Sequence, residues 1–584
     1  MATFKRLLSY VTYRKASYAL GVILLILSAG LSIYAPILGS QLINYVSEQT
    51  QAEAVIEWSI LVQLFTYYLA VVMISAAIGY ASYIILAYAS NDIGRIIRNQ
   101  VHEHMQELPI AYFDDKPAAK ISARIVNDTE VLRENFYQNF STQVLLNGVQ
   151  VIGTYIALYL VSPPIGLAML GLIPVFIIWQ LVYMKLVQPL NHRWRESVSE
   201  MNSQTAEIVQ GAAIVQLFHR QQSMEEEFEK TNQEWLDSRE KSNYIDSTLT
   251  WNISGLLKQL VTLLVMLYLG TRFTEGILGY SMGVLFILVD YVSRIFDPIS
   301  MIVRLMTMLQ QALVAGHRVF ELLDTPVEQD TQAVLQVSEG VVTFNHVNFA
   351  YKENHQVLKD IHFTVKKGQT VGLVGHTGSG KSSIINLLFR FYDPQSGQVL
   401  IDGQNISDYN RESVRDKMGI VLQEPYLFTG TIASNISMND ESITEADILE
   451  ALEKVGAKPM IDKLDKGIYT EVVEKGQSLS SGERQLISFA RTLASDPKIL
   501  ILDEATSHID SQTEEVIQHA MNVVKEGRTT FIIAHRLSTI QNADQIILLD
   551  QGMIREAGNH KELLNLKGQY AEMFQMQGKI SAVN

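Results

Sequence analysis

One short stretch carries the first chemical signal: Gly375-His376-Thr377-Gly378-Ser379-Gly380-Lys381-Ser382. The pattern is GxxxxGK[ST], between a short apolar run, Thr370 to Val374, and a helix expected to start at Ser382. Such a loop suits phosphates. Its glycines let backbone N–H groups turn inward around an anion. The helix behind it presents its positive N-terminal end. Lys381 supplies a point charge for β- and γ-phosphates, and the Ser382 hydroxyl is a ligand for Mg²⁺. A plain Gly-rich turn is the competing reading, which the strand–loop–helix context disfavours. A second signal is the aliphatic run Ile499-Leu500-Ile501-Leu502, closed by Asp503-Glu504. Such a run reads as a strand buried on both faces. Its carboxylates lie where α/β sheets place ligands. Asp503 suits a Mg²⁺ shell, and Glu504 suits a base acting on water beside a γ-phosphate.

The elements that must position these groups fall in two unlike halves. The chain has 584 residues, 48% of them apolar and only 18% charged. That balance excludes disorder and suggests an apolar part joined to a soluble one. Net charge is −15, so nothing points to nucleic acid as a partner. There is no cysteine, which excludes disulfides, Cys-based zinc sites and a cysteine nucleophile. After about residue 341, short apolar strands such as Thr343 to Phe349 alternate with polar helices. Before about 325, six stretches are apolar and long enough to span a membrane. They run approximately over Tyr18–Tyr45, Ile56–Ala89, Thr142–Val161, Ile165–Val187, Leu249–Gly270 and Met282–Ile302. Lys5, Arg6, Arg14 and Lys15 precede the first span and place the N-terminus in the cytoplasm. The opening segment is expected to be retained, with no cleavage site of small residues. The long charged connections, roughly 90–141 and 188–248, are expected to carry helices well beyond the membrane.

Between the two chemical signals lies Leu479-Ser480-Ser481-Gly482-Glu483-Arg484-Gln485, which resembles the LSGGQ signature of ABC transporters. The other landmarks of that family follow in order. Tyr351 resembles the aromatic residue that stacks on adenine, and Gln423 the glutamine of the Q-loop. Thr470 to Gly476 is similar to the exporter X-loop, Ser507-His508-Ile509-Asp510 to the D-loop, and His535 to the switch histidine. The resemblance covers nearly the whole chain and has the layout of an exporter half transporter. It implies an α-helical membrane domain of six transmembrane helices with long cytoplasmic extensions, followed by an α/β P-loop nucleotide-binding domain. The expected boundaries are 1–324, a linker over 325–340, and 341–584.

The family implies ATP and Mg²⁺ as cofactors and ATP hydrolysis coupled to export across a bacterial cytoplasmic membrane, with both termini in the cytoplasm. The implied nucleotide contacts are Tyr351, Gly375, Thr377, Gly378, Ser379, Gly380, Lys381, Ser382 and Ser383, with Ser480, Ser481, Gly482 and Glu483 from the signature. Ser382, Gln423 and Asp503 are the implied metal ligands. Glu504, His535, Gln423 and Lys381 are the implied catalytic set. Phe113 through Thr129 and Ile208 through Phe218 are similar to the two coupling loops, which in this family dock on nucleotide-binding domains. Ala119 stands where the first of them often has glycine.

In this family ATP lies between the P-loop of one subunit and the signature of another, so a second half transporter is implied. The sequence is most similar in character to bacterial multidrug half transporters that work as heterodimers. Two departures matter. Ser481 replaces the first of the two glycines of the signature, and Glu483 replaces its glutamine. The first adds a side chain where backbone should approach phosphate. The second brings negative charge near an anion. They suggest a heterodimer in which this chain's P-loop and Glu504 meet the partner's intact signature. The partner is then a candidate for a degenerate catalytic glutamate. Tolerated drift and a working homodimer form the alternative.

The expected cargo is lipophilic or amphipathic compounds, drugs first, with membrane lipid around the spans. A lipid flippase or peptide exporter with the same ATPase is one alternative, and a mainly ATP-binding regulatory subunit another. Lys258, Asp290 and Arg294 lie in the last two spans, where charge against lipid is costly. Asp290 and Arg294, one helical turn apart, can neutralise each other. A site for a cationic drug at Asp290 is the competing expectation.

Overall fold

The computed structural model describes residues 2–581 apart from 54, 115, 275–280, 329, 353–354, 474–475, 477, 504–510 and 535–536. The chain divides into two compact units. The first comprises Met1–Glu107 and Pro117–Pro326, the second Leu108–Lys116 and Val327–Asn584.

The first unit is helical. Among the described residues, four uninterrupted helical runs are long and apolar enough to cross a membrane: Ala2–Gln51, Trp58–Gln106, Ala118–Val161 and Pro163–Gln210. The first has 50 residues. At 1.5 Å per residue it is about 75 Å long, more than twice the ~30 Å of a hydrocarbon core. The expected fifth and sixth spans fall on the helices Ile253–Thr274 and Met282–Leu323. The second long connection is not one helix. It breaks at Gly211 and again at Phe218–Arg220, where His219 has φ +53°.

Small residues hold the first two helices together. A Cβ on Gly21 would lie 2.6 Å from Leu86 Cγ. Ser82 Oγ donates to Gly21 O at 2.7 Å, and Ser28 and Ser75 donate to each other's carbonyls at 2.9 Å. Close backbone approach and interhelical hydrogen bonds are what drive helix association where lipid is as apolar as leucine. A buried cluster of Leu158, Val265, Leu288, Tyr291 and Phe296 joins the third, fifth and sixth spans.

The second unit is α/β. Its strands are β1 (Val342–Ala350), β2 (Gln356–Val365), β3 (Thr370–Val374), β4 (Ser396–Ile401), β5 (Gln404–Asn405), β6 (Met418–Val421), β7 (Gly430–Thr431), β8 (Glu471–Val472), β9 (Ile499–Asp503), β10 (Thr529–Ile533), β11 (Gln545–Asp550) and β12 (Met553–Gly558). The central sheet has the order β12-β11-β3-β10-β9-β6 and is parallel apart from β12. A second, antiparallel sheet, β2-β1-β4-β5, shares a core with it, Phe344 and Ile361 packing in one cluster with Val371 and Ile501. Alternate residues of the parallel strands feed two cores. Val371, Leu373, Ile499 and Ile501 enter one, and Val374, Leu500 and Leu502 the other. Burial on both faces explains why β9 is continuously aliphatic rather than alternating.

Of the expected linker 325–340, the part from Val327 on belongs to this unit. Leu335 is buried in its core. The backbone N–H of Arg411 donates to Asp330, and Arg411 pairs with Glu328 at 3.1 Å. Asp402 accepts from the backbone N–H groups of Ser338, Glu339 and Val341 at 2.8 to 3.0 Å. Burial pushes its carboxyl up, but these backbone donors outweigh burial and hold it below the usual value. The short helix Ile110–Asp114, which overlaps the start of the first expected coupling loop, also belongs to the second unit, where Tyr392 Oη donates to Asp114.

Candidate functional site

The parallel sheet brings distant motifs to one edge. Leu373 of β3 stands beside Ile533 of β10, Ile533 beside Asp503 of β9, and Leu502 beside Val421 of β6. All four strands run the same way, so their carboxyl ends align. The glycine-rich loop follows β3, Gln423 follows β6, Asp503 ends β9, and residue 535 lies two positions beyond β10. Ligands of open α/β sheets bind at this edge. Glu504, Ser507–Asp510 and His535 lie outside the described residues, as do Glu474 and Lys475 of the expected X-loop.

Backbone conformation shapes the loop. Gly375 has φ +152°, and a Cβ there would sit 2.2 Å from Leu549 O. Gly380 has φ +107° and precedes the helix Lys381–Leu388 with no side-chain cap. A larger residue at either position requires backbone movement. Lys381 is 6% exposed, and its Nζ donates to Gly375 O at 2.8 Å and His376 O at 3.1 Å. Its ammonium is therefore bent over the loop. Thr377, Gly378 and Ser382 are exposed, while Ser379, Gly380 and Ser383 are buried. The Ser379 hydroxyl is buried with no hydrogen-bond partner among the described residues. An orphaned hydroxyl inside a ring of glycines and a lysine fits a phosphate oxygen as its partner. The donor set of the loop thus fits a nucleotide phosphate chain.

Tyr351 is tied to the same helix. Its hydroxyl donates to Ser383 Oγ at 3.1 Å and accepts from Asn386 Nδ2 at 2.9 Å. The ring is 43% exposed and stands edge-on to Phe349 and Tyr392. An anchored, half-exposed aromatic beside a phosphate loop has the form of a base-stacking platform.

The signature forms a different kind of helix start. Ser480 caps the helix Ser481–Ala494 in a reciprocal box. Ser480 Oγ accepts from the Glu483 N–H at 3.2 Å, and the Ser480 N–H donates to Glu483 Oε2 at 2.7 Å. Glu483 is therefore committed to its own helix. The pattern Ser-x-x-Glu before an apolar run was readable as this box from sequence. Ser481 is exposed at the first position of the helix, and Gly482 is buried. Gln485, 2% exposed, reaches from this helix to the carbonyl of Leu422 at 3.4 Å, next to Gln423. No sequence signal foretold that contact, or those of Ser383 and Asn386 with Tyr351.

The model for the ABC transporter transmembrane region matches residues 18–299, and that for the ABC transporter domain matches 358–507. The chain is 46% identical over 518 residues to a Bacillus subtilis (strain 168) protein named "Probable multidrug resistance ABC transporter ATP-binding/permease protein YheH". That alignment spans 88% of this chain and 77% of the relative. The chain belongs to the ABC transporter family. It is 32% identical over 498 residues to the ATP-dependent lipid A-core flippase of Haemophilus influenzae (strain 86-028NP), covering 84% of each chain. Its fold matches that of a bacterial Atm1-family ABC exporter with ATP bound, with a TM-score of 0.78 and 27% identity. That match covers 96% of this chain and 98% of the other. This ABC transporter is thus a membrane-integral, ATP-hydrolysing exporter with a helical membrane region followed by an α/β nucleotide-binding domain.

Proposed function

We propose that the chain is one half of a dimeric, heterodimeric ABC exporter that moves lipophilic or amphipathic compounds, drugs first, out across the cytoplasmic membrane of a bacterium. The observation that carries the ATPase side is the convergence of the phosphate loop, Gln423 and Asp503 at one sheet edge. Lys381 and the N–H groups of the loop hold the β- and γ-phosphates, and Tyr351 carries the adenine. Ser382, Gln423 and Asp503 are the ligands for Mg²⁺, which when bound supplies neutralisation of the phosphate charge. Glu504 takes a proton from the attacking water, and His535 steadies the γ-phosphate. Both termini and the nucleotide-binding domain lie in the cytoplasm, as the basic residues before the first span support.

The cargo reading is supported by the name of the Bacillus relative and by an apolar cavity in the membrane unit. A flippase is the second reading, supported by the name of the Haemophilus relative. The heterodimer rests on Ser481 and Glu483. Against it stands the capping box, because a glutamine at 483 would make the same cap.

ATP hydrolysis by the purified chain alone, and mixed with the half transporter encoded beside it, tests this reading. Strong activity in the mixture only supports the heterodimer; full activity of the chain alone overturns it. Glu504→Gln should lower turnover at least 100-fold. Unchanged turnover would remove Glu504 from the catalytic set.

A further inference from the structure

The membrane unit contains a cavity of about 680 Å³ between the helices Ser141–Val161, Leu172–Gln210 and Met282–Leu323. That volume suits one drug-sized molecule. Its walls are apolar, with Tyr155, Phe176 and Met306 among them. Two amides interrupt them, Asn147 and Gln180. Asn147 Nδ2 and Gln180 Nε2 are each shielded from water and have no hydrogen-bond partner among the described residues. Tyr155, by contrast, donates its hydroxyl to Met169 O at 3.1 Å.

Unpaired amides inside a bilayer are costly and point to a function. A half-turn of a terminal amide exchanges its oxygen and nitrogen. Neither NH₂ group gives up a bond in that turn, so each is free to present its donor to a molecule in the cavity.

Charge around the sixth span is already matched. Arg294 Nε donates to Asp290 Oδ2 at 2.5 Å, and its Nη1 to Ser32 Oγ at 3.0 Å. Lys258 Nζ donates to Asp297 Oδ1 at 3.0 Å. Asp290 is thus engaged by its own helix, which removes the support for a cationic site there.

We infer that the cargo of this cavity is an uncharged lipophile bearing hydrogen-bond acceptors, carbonyl or ether oxygens, held by Asn147 and Gln180 between apolar walls. The inference rests on the exporter reading above and narrows its substrate class. A permanent cation finds no carboxylate among the described residues of this cavity lining, and a pure hydrocarbon leaves both amides unpaired.

The test uses the full chain in phospholipid nanodiscs, alone and with the half transporter encoded beside it, with empty nanodiscs as the partition blank. Three probes are titrated: Nile red, neutral with a carbonyl acceptor; diphenylhexatriene, neutral without acceptors; and tetraphenylphosphonium, a cation. Asn147→Leu and Gln180→Met should each raise the Kd for Nile red roughly 3- to 10-fold and move that for diphenylhexatriene less than about twofold. Tetraphenylphosphonium should bind more weakly than Nile red. The inference is overturned if neither substitution affects Nile red, if both neutral probes lose equally, or if the cation binds most tightly. Either variant suffices should the other fail to fold. ATP hydrolysis is measured in the same preparations, with Glu504→Gln as the blank. Hydrolysis that persists while the probes ignore both substitutions overturns the cargo class alone. Hydrolysis no greater than that blank counts against the exporter reading itself.

Discussion

Two helix starts in the nucleotide-binding domain are built by opposite means. The helix after the phosphate loop begins behind Gly380, in a left-handed conformation and with no side-chain cap. Its first N–H groups are left to whatever the loop encloses. The signature helix begins behind Ser480, whose hydroxyl and backbone N–H are both exchanged with Glu483. Part of its donor set is therefore satisfied from within. One end is kept open for an anion; the other is stable by itself. In the proposed dimer the N–H groups of Ser481 and Gly482, which the box leaves unused, would be the ones to meet a phosphate. The difference recasts the two departures from the signature. Glu483 is a cap before it is a charge, and the Ser481 side chain lies at an exposed position.

The comparison breaks most readily at the open end. Gly375→Ala should cost more than about 2 kcal/mol and abolish ATP hydrolysis, because the new Cβ meets Leu549 O at 2.2 Å. Lys381→Ala should leave the fold intact yet lower hydrolysis about 100-fold or more, read as turnover at saturating MgATP. Normal turnover in that variant would show that the loop does not hold the phosphates.

At the closed end the effects are smaller and more discriminating. Ser480→Ala should cost about 1 kcal/mol in denaturant unfolding, the ordinary loss of an N-cap. Glu483→Gln should change stability by less than about 0.5 kcal/mol, since glutamine also closes the box. If Glu483→Gln raises the hydrolysis of the chain alone several-fold, the charge is the handicap and the asymmetric dimer gains support. If hydrolysis is unchanged, Ser481 alone carries that argument.

The smallest effect is at the segment 327–340. The carboxyl of Asp402 is held below its usual value by backbone donors, although burial opposes this. A depressed carboxylate contributes stability above its unfolded pKa, near 3.9, and loses it as pH falls through the lower folded value. Asp402→Asn should therefore flatten part of the acid slope of unfolding below about pH 4. It should cost about 1 kcal/mol or less at neutral pH, since the group is only partly buried and solvent screens it.

Much of the site was legible because its chemistry is written in short spacings. The loop 375–382 and the run closing at Asp503-Glu504 are local patterns, and β3 and β9 occupy the expected places. The capping box of Ser480 and Glu483 is equally local, four residues long. Other features depend on contacts between residues far apart. Tyr351 and Ser383 are 32 residues apart, and Lys258 and Asp297 are 39. No spacing rule connects them.

The sequence by itself determined the elements and the kind of chemistry each could do, because turn geometry, burial pattern and motif spacing act over a few residues. Tertiary structure decided which of them meet. The order β3-β10-β9-β6 gathers three loops and one strand end at a single edge, since parallel strands joined by crossovers must align their carboxyl ends. It likewise paired the charges of the last two spans, and it left two amides facing an apolar cavity. Pairing is a property of space rather than of order along the chain.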